Sequence, residues 1–178
     1  MAAGKRVIPW IGAAYRHIRA DTGRLPLGLS LAGSFARNRW NTPGEPTLYL
    51  AGDPGVMVAE WGRQMSSAID PDAPTRAIAR EVFRFHLRLD EVIDVRDPDV
   101  AASLGRTDAP SCFLDREIAR SVSRYLREST TSQALLVPSI AFLNDLARWY
   151  LVIFLDKLSA DPAEWIHCVE PLGPLRWR

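Results

Sequence analysis

RWNTPGEPTLYLAGDPGVMVAEW, residues 39–61, holds a strand, a helix start and one charge in an unexpected place. TLYLA (47–51) is short, apolar and rich in residues that suit a pleated surface, so it reads as a strand. Asp53 then has the character of a helix N-cap, with Pro54 at the first helical position, where its missing N–H costs nothing. The helix is expected to run to about Ser66. Its neighbours Val56, Met57, Val58, Ala59 and Trp61 suggest packing on most sides, yet Glu60 lies among them. Burying a lone ionised carboxylate is expensive, so Glu60 needs a partner or a cavity. The ordinary explanation is a surface pair with Arg63 or Gln64, of little energetic worth. The other residues of the stretch also divide between plain and functional readings. Loop arginines such as Arg39 are mostly solvated, and Trp40 suits a ring that anchors a loop. Tyr49 faces away from Leu48 and Leu50. It is either core with its hydroxyl satisfied or the lining of a cleft.

Outward from this stretch, AAYRHIR (13–19) reads as a short strand with Tyr15, Arg16 and His17 on alternating faces. Residues 20–46, rich in Gly, Ser, Asn, Arg and Pro, form a long loop of the kind that usually has a task. FRFHLRLDEVIDV (83–95) alternates Phe83, Phe85, Leu87 and Leu89 with Arg84, His86 and Arg88, as one half-exposed strand or two. Asp97 and Pro98 open a short helix, and residues 111–128 carry Phe113, Ile118, Val122, Tyr125 and Leu126 at helical spacing. LLVPS (135–139) and WYLVIF (149–154) are buried-type strands, with Ser139 as a turn or cap residue, and WIHCVEPL (165–172) is a closing edge strand. The class is α+β, a mixed or antiparallel central sheet with flanking helices.

The chain has 178 residues, enough for one domain spanning 1–178 with a substantial core. Its 47% hydrophobic and 24% charged content fits a folded protein, and a net charge of +1 gives no field for nucleic acid or anionic membrane. The N-terminus lacks a signal-peptide core and no apolar run reaches spanning length, so a cytoplasmic location is expected. Cys112 and Cys168 stand in no metal or redox spacing, which suits a reducing compartment, although their spacing leaves a disulfide open. His17, His86 and His167 have no metal-ligand spacing either, and no metal is expected. GxGxxG, GxxxxGK[ST] and GxSxG are all absent. Asp90, Glu91 and Asp94 are ordinary at a strand boundary.

Four blocks in order nevertheless resemble the RES-domain family, named for its Arg, Glu and Ser. They are Tyr15–Arg16, the segment RWNTPGEPTLYLA, Glu60 eleven residues after Tyr49, and LLVPS followed by LVIF (151–154). They span residues 15 to 154, and the RWN–YLA–Glu block is fairly specific. The resemblance implies a fold related to ADP-ribosyltransferase toxins and an enzyme that consumes NAD⁺ as substrate, held without a glycine-rich fingerprint. It implies the toxin of a type II toxin–antitoxin pair that cleaves the nicotinamide–ribose bond by hydrolysis or phosphorolysis. Its partner would be an Xre-like helix-turn-helix antitoxin covering the cleft, with room for a homodimer within the complex. Alternatives are a mono-ADP-ribosyltransferase acting on a protein and an inactive partner-binding module. The family roles carry over to Glu60, Arg16 and Ser139 as catalytic, and to Arg39, Tyr49, His17, Trp40 and Asn41 as nucleotide-binding. Glu60 would steady oxocarbenium character on the ribose. Arg16 and Arg39 would clamp the pyrophosphate or a ribose through forked hydrogen bonds. Tyr49 would stack on the nicotinamide, and Ser139 would bond the ribose or orient Glu60. The chain departs from the family pattern at His17, where many relatives have an aromatic, and at Tyr150, where an Asn is usual. It also lacks the Gly-rich turn after Ser139, with Asn144 as a substitute for the missing Asn.

Overall fold

The computed structural model describes residues 6–20, 23, 25–66 and 79–175. Among these residues, six strands and three α-helices follow in the order β1 (Val7–Arg19), β2 (Thr47–Ala51), α1 (Pro54–Ser66), β3 (Arg80–Asp94), α2 (Pro98–Ser103), α3 (Arg116–Ser129), β4 (Ala134–Pro138), β5 (Trp149–Phe154) and β6 (Ile166–Pro174). The sheet order is β1-β2-β5-β4-β3-β6, and β1 also pairs with β3, which closes five strands into a barrel-like ring. The β3–β4 pair is parallel and its connection carries α2 and α3, whereas the other pairs are antiparallel. The class is the expected α+β with a mixed sheet and flanking helices.

Strand alternation sorts the core. Leu48 and Leu50 of β2, Ala14 and Ile18 of β1, Phe83, Phe85, Leu87 and Leu89 of β3, and Leu151 and Ile153 of β5 belong to one buried cluster. The opposite faces of β4 and β5 present Leu135, Val137, Val152 and Phe154 to Val122 and Leu126 of α3 and to Trp40 and Phe113. A smaller cluster seats α1 through Val56 and Met57 against Ala51 and Val82, with Tyr15 and Tyr150 packed beside it.

Local signals place several elements where the sequence puts them. β2 and β5 match residue for residue, and Asp53 Oδ1 accepts the Val56 N–H at 3.0 Å as the cap of α1. Three expectations change. β1 starts at Val7 instead of residue 13, because its first half pairs with the far half of β3 and a register shift between Ile8 and Trp10 absorbs Pro9, which has no N–H to give. Residues 80–94 form one strand, since β3 serves β1 along one edge and β6 and β4 along the other. The helix expected over 111–128 is divided: Ser111–Leu114 is a 3₁₀ turn, and Asp115 caps α3 by accepting from Glu117 N at 2.8 Å. Tyr125, read as part of its apolar face, is exposed. Cys112 is buried, Cys168 exposed, and both are free thiols.

The long loop ahead of β2 is fastened rather than loose. Gly33 has φ +83°, and a Cβ there would fall 1.9 Å from the Glu45 carbonyl, so only glycine lets these two backbones meet. Arg120 of α3 donates to the carbonyls of Ala36 (2.6 Å) and Asn38 (2.8 Å), and Arg124 donates to Thr42 Oγ1 (2.6 Å). Arg39 is therefore delivered by backbone that is clasped immediately before it.

Candidate active site

Among the described side chains of α1 the buried ones are Val56, Met57, Glu60 and Trp61, which share one face at i, i+4 spacing. Glu60 is thus on the packed side of the helix, with 8% of its surface exposed. Its cost is met by two donors from the segment after β4. Ser139 Oγ–H donates to Glu60 Oε1 at 2.7 Å and the Ala141 N–H donates to the same oxygen at 2.8 Å. Among the described residues Oε2 has only Arg63 Nε, at a long 3.5 Å. The anticipated Glu60–Arg63 pair thus exists but is secondary, because Arg63 is half in solvent and Oε1 is held from elsewhere. One carboxylate oxygen is fixed, and the other keeps acceptor capacity. That arrangement suits a group that must present negative charge in one orientation.

Cations collect on the same side. Burial lowers the pKa of the Arg39 guanidinium, and Arg63 and Arg116 lower it further, whereas Glu60 and Tyr49 oppose them. An arginine keeps its charge through such shifts, so Arg39 feels the positive charges of Arg63 and Arg116 and the negative charge of Glu60. Arg39 is oriented by donating to the carbonyls of Phe113 and Leu114, each at 2.7 Å. Arg116, at the start of α3, had no signal in the sequence. Arg63 had one, its three-residue offset from Glu60, but that offset spoke only for a surface pair.

The remaining predicted residues divide. Ser139 is buried and touches Glu60, so of the two roles expected for it the geometry displays orientation of the carboxylate. Tyr49 has both hydrogen bonds of its hydroxyl filled: it accepts from Trp40 N at 3.0 Å and donates to Asn41 Oδ1 at 2.8 Å. Burial pushes its phenol pKa well up. Asn41 is buried and donates to the Gly33 carbonyl at 2.8 Å, and the Trp40 ring packs on Phe113 with centroids 4.9 Å apart. Trp40 and Asn41, expected at the nucleotide, are used to build the loop, because a loop crossing a core must satisfy its own polar groups.

Arg16 and His17 also differ from expectation. Alternation gives Arg16 the face of Ala14 and Ile18, and its guanidinium donates to the Pro26 carbonyl at 3.2 Å. The structure does not seat it with Ser139 and Ala141 around the carboxylate. The reason is parity: adjacent strand residues point to opposite faces, and α1 lies over the face of Tyr15. His17 takes the α1 side. Its ring lies 5.3 Å from that of Trp61, and Nδ1 accepts from Arg80 Nη1 at 2.9 Å. Burial, then Arg80 and Arg16, lower its pKa from 6.5 to about 4, so it is a neutral packing residue at pH 7. Tyr150, the departure noted in the sequence, packs against both the α1 and the α3 clusters.

Among the described residues no His, Cys, Asp and Glu gather as a metal site, and no helix is long and apolar enough to cross a membrane. A cavity of about 310 Å³ lined by Val95, Arg96, Arg106 and Leu146, among others, shares no residue with this site.

No curated protein sequence matches the chain significantly. The fold is similar to that of a chain in the crystal structure of the M. tuberculosis MbcT-MbcA toxin-antitoxin complex, with a TM-score of 0.63 at 20% identity. The match covers 93% of this chain and 86% of that one. A family model described as the RES domain matches residues 12–177. With its buried glutamate, the serine that holds it and a neighbouring arginine brought together from three distant segments, the chain belongs to the RES-domain family.

Proposed function

We propose that this protein is the toxin of a toxin–antitoxin pair and that it cleaves the nicotinamide–ribose bond of NAD⁺ on an ADP-ribosyltransferase-like scaffold. The observation that carries the reading is Glu60: a nearly buried carboxylate with one oxygen anchored by Ser139 and Ala141, beside Arg39, Arg63 and Arg116. Cations next to an immobilised carboxylate suit a substrate that is anionic at one end and becomes cationic at the other. In NAD⁺ the pyrophosphate answers the arginines through charge-assisted hydrogen bonds. The ribose answers Glu60. The N-glycosidic bond breaks with its electron pair going to the pyridinium nitrogen, so nicotinamide leaves neutral and positive charge develops on C1′. Glu60, with Oε2 toward the 2′-hydroxyl, lowers the energy of that charge. Water or phosphate then adds at C1′, and with water the added oxygen sheds one proton. Arg16, on the other face of β1, leaves the anion clamp to Arg39 and its two neighbours.

The likeness to a chain of a toxin-antitoxin complex supports a cognate antitoxin as partner. We propose a helix-turn-helix protein that covers the cleft. Incubating the purified chain with NAD⁺ and following the products by chromatography tests the reaction. Free nicotinamide with ADP-ribose or its phosphate is the expected result. Label found only on a protein would make the chain a mono-ADP-ribosyltransferase instead, and no loss of NAD⁺ with water, phosphate or protein as acceptor would overturn both.

A further inference from the structure

Tyr15, Tyr49 and Tyr150 stand on the sheet face that carries the site, and the hydroxyls of Tyr49 and Tyr150 differ. Tyr49 is saturated by Trp40 and Asn41. Tyr150 lies in neighbouring β5, opposite Ala51 of β2 on one side and Val137 of β4 on the other. Its register puts it between the strand that leads into α1 and the strand that leads into Ser139. Its ring is wedged against the cluster under α1 and the cluster under α3, and among the described residues its hydroxyl makes no hydrogen bond. The residue is half-buried and its hydroxyl is not among the buried polar atoms that lack a partner, so the group is open to water and to a ligand.

Resting on the NAD⁺ reading, we infer that Tyr150 is a substrate-contacting residue whose hydroxyl hydrogen-bonds the nicotinamide-riboside half of the dinucleotide, beside Glu60. The division of labour follows from position. Arg39, Arg63 and Arg116 supply the anion end, while Glu60 Oε2 and the Tyr150 hydroxyl are polar groups with capacity left near the α1–β5 junction. Burial and the charges of Glu60 and Asp53 hold the phenol protonated, so it acts as a neutral donor and not as a base.

The test is Tyr150→Phe, which keeps the packing and removes only the hydroxyl. Cleavage of NAD⁺ and calorimetric binding of NAD⁺ and of ADP are measured on parent and variant. The expected result is a fall of about tenfold in kcat/KM and weaker NAD⁺ binding, with ADP affinity within twofold, because ADP lacks the nicotinamide half. Unchanged NAD⁺ turnover in Tyr150→Phe, or an equal loss of NAD⁺ and ADP affinity, would overturn the contact alone. A parent chain that neither binds nor consumes NAD⁺ would overturn the NAD⁺ reading beneath it.

Discussion

Glu60 shows what a single buried charge requires. An ionised carboxylate taken from water is tolerated when strong donors replace its hydration, and here a hydroxyl and a backbone N–H converge on one oxygen. Glutamine keeps an acceptor for both donors and removes only the charge. In Glu60→Gln we expect NAD⁺ cleavage to fall by about 10²–10³-fold, as when a preorganised electrostatic group is lost, with little change in the thermal midpoint. Turnover within a few-fold of the parent would remove Glu60 from the chemistry. His17 makes a prediction of a different kind. Its folded pKa of about 4 lies below the ordinary 6.5, so between these values the unfolded chain binds the extra proton. Stability associated with neutral His17 is complete above pH 6.5 and drains away as pH falls toward 4, by at most about 3 kcal/mol. Denaturant titrations at pH 7 and pH 4.5 should show His17→Gln losing clearly less stability than the parent. Equal losses would mean that other groups govern the acid limb.

At the scale of elements, α3 does more than cover the sheet. Through Arg120 and Arg124 it holds the loop that delivers Arg39, and through Arg127 it reaches the start of β2. The Arg127 guanidinium is buried over the Phe154 ring, bonded to Asp156, to Thr47 Oγ1 at 3.2 Å and to the Pro46 carbonyl at 3.1 Å. Its partner is half exposed, so the pair is asymmetric. Asp156→Ala leaves a buried cation without its carboxylate and should cost about 3 kcal/mol. Arg127→Met leaves a carboxylate that water can reach, and its side chain can still pack on Phe154, so the cost should be smaller. Urea unfolding of both variants decides the order, and a larger loss in Arg127→Met would refute the asymmetry.

For the whole molecule, closure of the ring is the organising event. β1 meets β2 at a single register position, Tyr15 with Ala51, but runs along β3 from Val7 to Arg19. The ring therefore depends on the side chains that fill it more than on the hydrogen bonds of the β1–β2 seam. Phe85, fully buried among Leu50, Leu87, Ala14 and Leu151, is one of the largest of them. Phe85→Ala should destabilise the fold by about 3–5 kcal/mol through lost burial and the cavity left behind, measured as a shift of the urea midpoint. A cost below about 1 kcal/mol would indicate that the interior collapses around the gap. The site lies outside this ring, between α1, the clasped loop and the start of α3. Its charged groups thus stand apart from the apolar filling.

Residues 39–61 alone determined β2, the cap of α1 and the helical face on which Glu60 falls, because alternation, capping and i, i+4 spacing are rules about neighbours in the chain. The alternating pattern of β3 and the apolar runs of β4 and β5 were legible for the same reason. The chain by itself did not say that β3 would remain one strand, nor that its length would serve three partners. Nor did it say which plausible arginine would stand by the carboxylate. Arg16 and Arg39 look equally suitable in the text, yet pairing of β1 in the ring assigns Arg16 to the Ala14 face, while the Phe113 and Leu114 carbonyls hold Arg39 within reach of the charge of Glu60. Ser139 and Ala141 lie 79 and 81 residues from the glutamate they hold. Contacts at that separation depend on how the ring closes and where the helices dock, and no local pattern encodes them.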